Sequence, residues 1–266
     1  MDPPIHHRCS HIQLDSKSLD HQRQGNSKMT LRPLLAAALA ATTAFCKPTI
    51  LKSRAVIDHD AVVGFADAVP DNSEGDLMLA YKPYLKVFNG CVPFPAVDAD
   101  GNTSGGLSPT GDSSAGCSSS TGQVYARASV YEEYFAIMYS WYMPKDEPSD
   151  GIGHRHDWEN AVVFLSENSS DATFVAMVVS EHGGYVSGTA TFDGTHPYVG
   201  YISYWPVDHT LIFTTTEGGT QPLIAWEDLT DAAREALDTT DFGDATASFK
   251  DSNFQSYLAD AYSTAF

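Results

Sequence analysis

A chain of 266 residues with 11% aromatic side chains is long enough for one substantial core and has the bulk to fill it. Its 34 acidic residues outnumber 15 basic ones, for a formal charge of -19. Nucleic-acid phosphate and anionic membrane surfaces repel such a chain, which excludes nucleic acid as a partner and requires any membrane partner to be held by short-range recognition or a bridging cation.

Residues 1–28 are polar, rich in His and Ser and without apolar period, the pattern of an unstructured leader or of a start misassigned upstream of Met29. Residues 29–46 then have the anatomy of a secretory signal peptide: Met29-Thr30-Leu31-Arg32, an apolar run from Leu34 to Phe45, and small residues at Thr42-Thr43-Ala44. About 12 apolar residues are too few to span a bilayer, and a buried alanine-rich helix is the competing reading. Removing the first 44 residues would take away more basic than acidic groups and leave the remainder still more acidic. Residues 47–266 are read as a single secreted, extracellular domain.

Two of the four cysteines, Cys9 and Cys46, lie in the first fifth of the chain, within the leader and signal segments, which leaves Cys91 and Cys117 as the pair inside the folded part. A disulfide between them would close a Gly-, Ser-, Thr- and Asp-rich loop and remove unfolded-state entropy worth roughly 3 kcal/mol, in an oxidising compartment. Two glycosylation sequons, Asn102-Thr103-Ser104 and Asn168-Ser169-Ser170, fall in loop-like segments.

Along the domain, His59 between Asp58 and Asp60 reads as a hydrogen-bonded structural residue. Asp98 to Thr121 reads as a long ordered loop tethered by the disulfide. From Val124 the pattern becomes that of a sheet. Strands are expected at 123–130, at 134–143 and after Asp157, then at 174–180, 198–204 and 210–216, separated by Gly, Asn, Asp and Ser turns. Pro144-Lys145-Asp146 is expected to end the second run, with Pro148, Gly151 and Gly153 in a long hairpin loop. Helices are expected only late: Leu229 to Leu237 behind Thr230, and a C-terminal stripe of Phe254, Tyr257, Leu258, Ala261 and Tyr262 behind Asp251-Ser252. The fold class is mainly β, an antiparallel β-sandwich with peripheral α-helices.

The chemistry concentrates in Gly153-His154-Arg155-His156-Asp157-Trp158-Glu159. If the strand begins at Asp157, alternation puts Asp157 and Glu159 on one face and Trp158 on the other, with His154 on the incoming loop. One imidazole and two carboxylates suit an oxygen-preferring cation more than zinc, and the spacing is not that of a zinc peptidase. Asp146, at the outgoing end of the hairpin, faces this group as a fourth candidate ligand. The competing readings are a polar loop whose charges pair with one another and a solvated turn at Asp146.

The run Ala136-Ile137-Met138-Tyr139-Ser140-Trp141-Tyr142-Met143-Pro144-Lys145-Asp146, followed by Gly153 to Glu159, resembles the joined signature of the necrosis- and ethylene-inducing peptide 1-like proteins, or NPP1-type cytolytic toxins. The similarity runs from about Ile57 to Tyr262 and includes Asp58 to Val63, Asn89 to Val97, Gln221-Pro222-Leu223-Ile224 and Asp241-Phe242-Gly243. The single cysteine pair is similar to the one-disulfide subgroup. The resemblance implies a β-sandwich like those of actinoporins and fungal lectins. It also implies a secreted, non-enzymatic cytolysin acting at the plant plasma membrane on glycosyl inositol phosphoryl ceramide, a sphingolipid whose terminal sugar is bound beside a divalent cation, Mg or Ca. The implied metal ligands are Asp146, His154, Asp157 and Glu159. The loop Trp205-Pro206-Val207-Asp208-His209 resembles one that presents a Trp to the membrane and polar partners to the sugar, which makes Trp205, Asp208 and His209 sugar and lipid contacts, although Trp205 also reads as a buried indole. Arg155, His156, Trp158 and His182 brace the site. A plant pattern-recognition receptor is an implied partner of the Ala136–Glu159 region. Two other functions stay open: a metal-assisted lectin that binds without lysis and, last in rank, a metal-dependent hydrolase or lyase, for which no separate acid/base pair is visible.

Overall fold

The computed structural model describes residues 54–204 and 208–266. The expected leader and signal segments, and Trp205 with Pro206 and Val207, lie outside the described residues. In chain order the elements are β1 (Val56–Ile57), α1 (Ser73–Ala80), β2 (Tyr84–Val87), β3 (Thr103–Ser104), β4 (Val124–Tyr131), β5 (Tyr134–Ser149) and β6 (Ile152–Leu165). They continue with β7 (Phe174–Glu181), β8 (Gly184–Ser187), β9 (Phe192–Asp193), β10 (His196–Ile202), β11 (Thr210–Phe213), β12 (Leu223–Ala225), α2 (Asp231–Thr239) and α3 (Phe254–Ala265).

One sheet has the strand order β12-β4-β5-β6-β7-β8, and a second has β11-β10-β2 with β9 on the side of β10. β11 packs over β6 and β7 to join the two layers, and α3 lies against β7 and β8. The pairing is antiparallel except at β12 on β4, β2 on β10 and the short β1 on β3, where strands distant in sequence meet in parallel.

β5 is the axis of the larger sheet. Thirteen consecutive residues from Phe135 to Glu147 are buried, so both of its faces are covered. Ile137, Tyr139 and Trp141 alternate with Met138, Ser140 and Tyr142, which supplies bulk to both sides. Burying Tyr125, Tyr139, Trp141 and Tyr142 is tolerable because each of these four has a partner. Tyr139 donates to the Met78 carbonyl, Trp141 Nε1 to Gln221 Oε1 and Tyr142 to Ser104 Oγ, while the Tyr125 hydroxyl accepts from the Ala96 amide.

The hairpin between β5 and β6 differs from the long loop expected of its prolines. β5 continues through Pro144 and Pro148, and the chain reverses in two residues, Asp150-Gly151, with Gly151 at φ 75°. Gly is suited to the second position of this turn because it takes a positive φ without a Cβ clash. Pro144 can stay in the strand because it falls at an interruption in the ladder, between the pairs Met143/Asp157 and Lys145/Arg155.

The first of the late helices, α2, forms as capping predicts: Thr230 Oγ1 accepts from the Ala233 amide at its start. The C-terminal helix begins at Phe254 with Asn253 as its flanking residue and no side-chain cap, so the capping expected of Asp251-Ser252 does not form, and Asp251 pairs with Arg127 instead. An earlier helix, α1, was not expected. Asn72 caps it by accepting from the Glu74 and Gly75 amides, a signal hidden by the weak periodicity of Ser73–Ala80.

Cys91 and Cys117 are bonded, both fully buried. The Cys91→Ser/Cys117→Ser double variant is expected to lose roughly 3 kcal/mol of stability through the regained entropy of the open loop. Urea unfolding should show this as a lower midpoint. An unchanged midpoint would mean that the loop is held by its other ties, among them the bonds from Lys145 Nζ to the Thr110 and Asp112 carbonyls.

Candidate metal and sugar site

Asp146 and His154 are direct cross-strand partners near the turn of the β5–β6 hairpin, and Asp157 lies opposite Met143 further along the ladder. His154 is therefore part of the strand rather than of an incoming loop. His154 and Asp157 are three positions apart, so unbroken alternation would send them to opposite faces. His156 stands between them at φ 63°, a backbone setting that costs a non-glycine residue energy and interrupts the alternation. Both side chains consequently line one cavity, together with Asp146, Glu159, Asp208 and His209.

The bend at His156 is held from outside. Its Nδ1 bonds the Tyr142 hydroxyl at 2.7 Å, and its ring meets Phe242 edge-on. Gly106, at φ 61°, leaves the ring its space: a Cβ there would lie 2.7 Å from two imidazole atoms. The carbonyl of His156 accepts from His154 Nδ1 at 2.7 Å, which sets the His154 tautomer and turns its Nε2 lone pair toward Asp146 Oδ2, 4.0 Å away. Arg155 reaches outward, donating to the Gly105 carbonyl and Ser108 Oγ. Trp158 packs in the core against Tyr125, Tyr142, Phe242 and Phe249. His182 is exposed in the two-residue turn between β7 and β8, at the cavity wall.

His209 sits behind Asp146 instead of facing solvent. It is 3% exposed, its amide donates to Asp146 Oδ2 at 2.8 Å, its Nδ1 donates to Asp146 Oδ1 at 2.5 Å, and its ring stacks on Tyr201. Gly90 makes room for it, since a Cβ there would fall 2.3 Å from Nε2. Asp208, next to it, is exposed, and its carboxylate joins the Asp146 carboxylate and the His154 imidazole in a group whose ligand atoms all lie within 4.8 Å. That group could hold a divalent cation. Asp157 and Glu159 lie deeper, tied to partners absent from the sequence reading: the Tyr201 hydroxyl donates to Asp157 Oδ2 at 2.6 Å, and Ser180 Oγ donates to Glu159. Tyr201 and Ser180 arrive on β10 and β7, and nothing local in the sequence marks them.

The electrostatics are those of crowded anions. Burial and then the Asp146 charge push the Asp157 carboxyl up to about 7, against the opposing pull of Tyr201, His154 and His209. Burial and the neighbouring Asp157 raise Glu159 well above the carboxylate range. For His154, burial disfavours the charge, but the bond to the His156 carbonyl and the nearby Asp157, Asp146 and Asp208 outweigh it and raise the ring above its ordinary value. His156 goes the other way, lowered to about 4 by burial and then by Arg155 and His154.

Residues 75–261 match the family described as necrosis inducing protein (NPP1). The chain belongs to the NPP1 family. It is 51% identical over 217 residues to NLP effector protein 1 of Phytophthora capsici, a match covering 79% of this chain and 92% of the relative. Among solved structures it resembles "NLPPya in complex with mannosamine" at 51% identity and a TM-score of 0.74, over 78% of this chain and 99% of that one. It also resembles "non-toxic HaNLP3 protein" at 40% identity and a TM-score of 0.73, over 76% of this chain and 98% of that one. The match carries the toxin-type β-sandwich seen here, and the family is named for necrosis induction, not for an enzymatic reaction.

Proposed function

We propose that this NPP1-family chain is a secreted cytolysin that binds the sugar head group of a plant sphingolipid through a divalent cation and permeabilises the outer plasma-membrane leaflet. The observation that carries this reading is the composition of the cavity wall. A cavity of about 490 Å³ is lined by five carboxylates (Asp146, Asp157, Glu159, Asp208, Asp244) and three imidazoles, with no lysine or arginine. Carboxylates this close, several of them buried, repel one another unless protonated or neutralised by a cation. Oxygen-rich ligation favours Mg²⁺ or Ca²⁺. Asp146, His154, Asp157 and Glu159 are the proposed ligands, and the position of Asp208 adds it to them at the mouth.

Each remaining group has a task in this reading. His209 fixes both oxygens of Asp146, Tyr201 orients Asp157, Ser180 orients Glu159, and the His156 carbonyl sets the His154 ring. Arg155, His156 and Trp158 brace that geometry. When bound, the cation would supply positive charge and open positions for hydroxyl oxygens, a contact that an acidic protein otherwise lacks at an anionic glycolipid. The relative captured with mannosamine supports a sugar as ligand. At the hairpin turn Ile152 is 46% exposed, and Tyr204, before the Trp205 loop, is 66% exposed, side chains suited to the lipid interface where Trp205 is the proposed anchor. No helix among the described residues is long and apolar enough to cross a membrane, which agrees with action from the surface. Export agrees with the disulfide. A plant receptor for the Ala136–Glu159 region belongs to this proposal as well, although most of β5 is buried and recognition would need the segment released from the fold.

Dye leakage from vesicles tests the whole. Release is expected from vesicles containing glycosyl inositol phosphoryl ceramide in the presence of Mg²⁺ or Ca²⁺, and not from plain phosphatidylcholine vesicles. Sugar-dependent binding to the same vesicles without release would establish the lectin instead, a reading favoured by the existence of a structural relative described as non-toxic. Equal release from both vesicle types would overturn lipid recognition.

A further inference from the structure

The two sequons of this chain, at Asn102 and Asn168, differ in exposure and in bonding. Asn102 is held on both sides of its amide: Oδ1 accepts from the Ala55 amide at 3.1 Å, and Nδ2 donates to Asp98 Oδ2 at 2.8 Å. Thr103 and Ser104 behind it form β3, buried and paired with β1, and the Ser104 hydroxyl is engaged by Tyr142. A sugar on Asn102 Nδ2 would have to fit beside the Asp98 carboxylate that this nitrogen already bonds, next to the β1–β3 pairing.

Asn168 is the opposite case. It stands exposed in the turn between β6 and β7, its Oδ1 accepts from Ser73 Oγ at 2.8 Å, and its Nδ2, the atom that an N-glycan occupies, makes no hydrogen bond among the described residues. Ser169 Oγ accepts from the Asp171 amide, which shapes the turn, while Ser170, whose hydroxyl completes the sequon, is exposed.

We propose that Asn168 is the N-glycosylation site of the mature protein and that Asn102 is not modified in it. The glycan lies at the far end of β6 from His154. Eleven residues of strand from His154 to Leu165, at about 3.3 Å each, put it on the order of 36 Å from the cation-type cluster. It therefore projects from the pole of the sandwich away from the hairpin that carries Asp146 and His154, where it covers turn surface without crowding a ligand in the cavity. The proposal rests on the export part of the functional reading and on no other part of it.

The experiment is secretion of the full chain from a eukaryotic host, followed by peptide-N-glycosidase in ¹⁸O-water and peptide mapping. One glycan is expected, with Asn168 converted to labelled Asp and Asn102 unchanged. N168Q and, independently, S170A should each abolish the mass shift, while N102Q should leave it in place. Failure to reach the medium despite an added signal peptide would sink the export reading, and with it this proposal. A chain recovered from the medium with an intact Cys91–Cys117 bond but no sugar at Asn168, or with sugar at Asn102, would overturn the proposal while leaving export standing.

Discussion

Asp157→Asn is expected to abolish cation binding and leakage in a protein that remains folded. The substitution keeps the shape of the side chain and its ability to accept from the Tyr201 hydroxyl, and it removes a charge that is buried in the cavity wall beside Asp146. Affinity for Mg²⁺ or Ca²⁺ depends on the number of charged ligands, so a loss of about a hundredfold or more is expected by isothermal titration. The effect on the metal-free protein has the opposite sign. With one member of a repelling set neutralised, metal-free Asp157→Asn should melt at or above the temperature of metal-free wild type, whereas wild type alone should be stabilised on adding the cation. A variant that melts well below metal-free wild type would place Asp157 in the structural framework. Full leakage by wild type shown to be metal-free would remove the cation from the mechanism.

The second large effect is a dependence of cation binding on pH. Asp157 is raised to about 7 and Glu159 well above its ordinary value, so between pH 5 and 8 the empty site carries protons that a cation must displace. His154, also raised, adds a further proton in the same range. Affinity should therefore rise with pH through this window, by at least about tenfold, with net proton release visible as a buffer-dependent binding enthalpy. The stability of the metal-free protein should run the other way. A carboxyl whose folded pKa lies above its unfolded one binds its proton more tightly in the native state, so stability falls as pH rises from about 4 through about 7. The lowered His156 opposes this only between about 4 and its ordinary value, where the unfolded state takes up the proton. With Asp157, Glu159 and His154 set against one imidazole, the metal-free protein should be less stable at pH 8 than at pH 5.5, and added cation should close the difference. Affinity independent of pH would mean that Asp157 and Glu159 are ionised before binding and that the crowding described here is relieved in another way.

Much of this site is written locally. The stretch His154 to Glu159 stands out by charge density alone, and Asp146 follows from hairpin pairing, because its partner across the ladder is a residue of that same stretch. The cysteine pair follows from elimination, and α2 from its Thr230 cap and apolar period. Less legible were features that break a local rule. Pro144 and Pro148 imply a strand end, yet their strand continues because burial on both faces outweighs the ladder bonds that proline cannot make. α1 has almost no periodicity and is held by its Asn72 cap and by contacts from elsewhere.

The sequence by itself determined the chemistry available: an acidic, disulfide-closed sheet protein with one imidazole and several carboxylates gathered at a hairpin, because residue type, alternation and turn preference act over a few positions. Only the tertiary structure decided how those groups are aimed. His209 was indistinguishable in the sequence from a surface contact, and it is the packing of β10 against β11 that stacks it on Tyr201 and turns it onto Asp146. Tyr201 and Ser180 reach Asp157 and Glu159 from strands more than twenty residues away in the chain. The left-handed backbone at His156, which brings His154 and Asp157 into one cavity, persists because Tyr142, Phe242 and the space left by Gly106 hold it from three other segments. Non-local contacts of this kind leave no periodic trace in the sequence, since each depends on the simultaneous placement of elements that only the folded chain brings together.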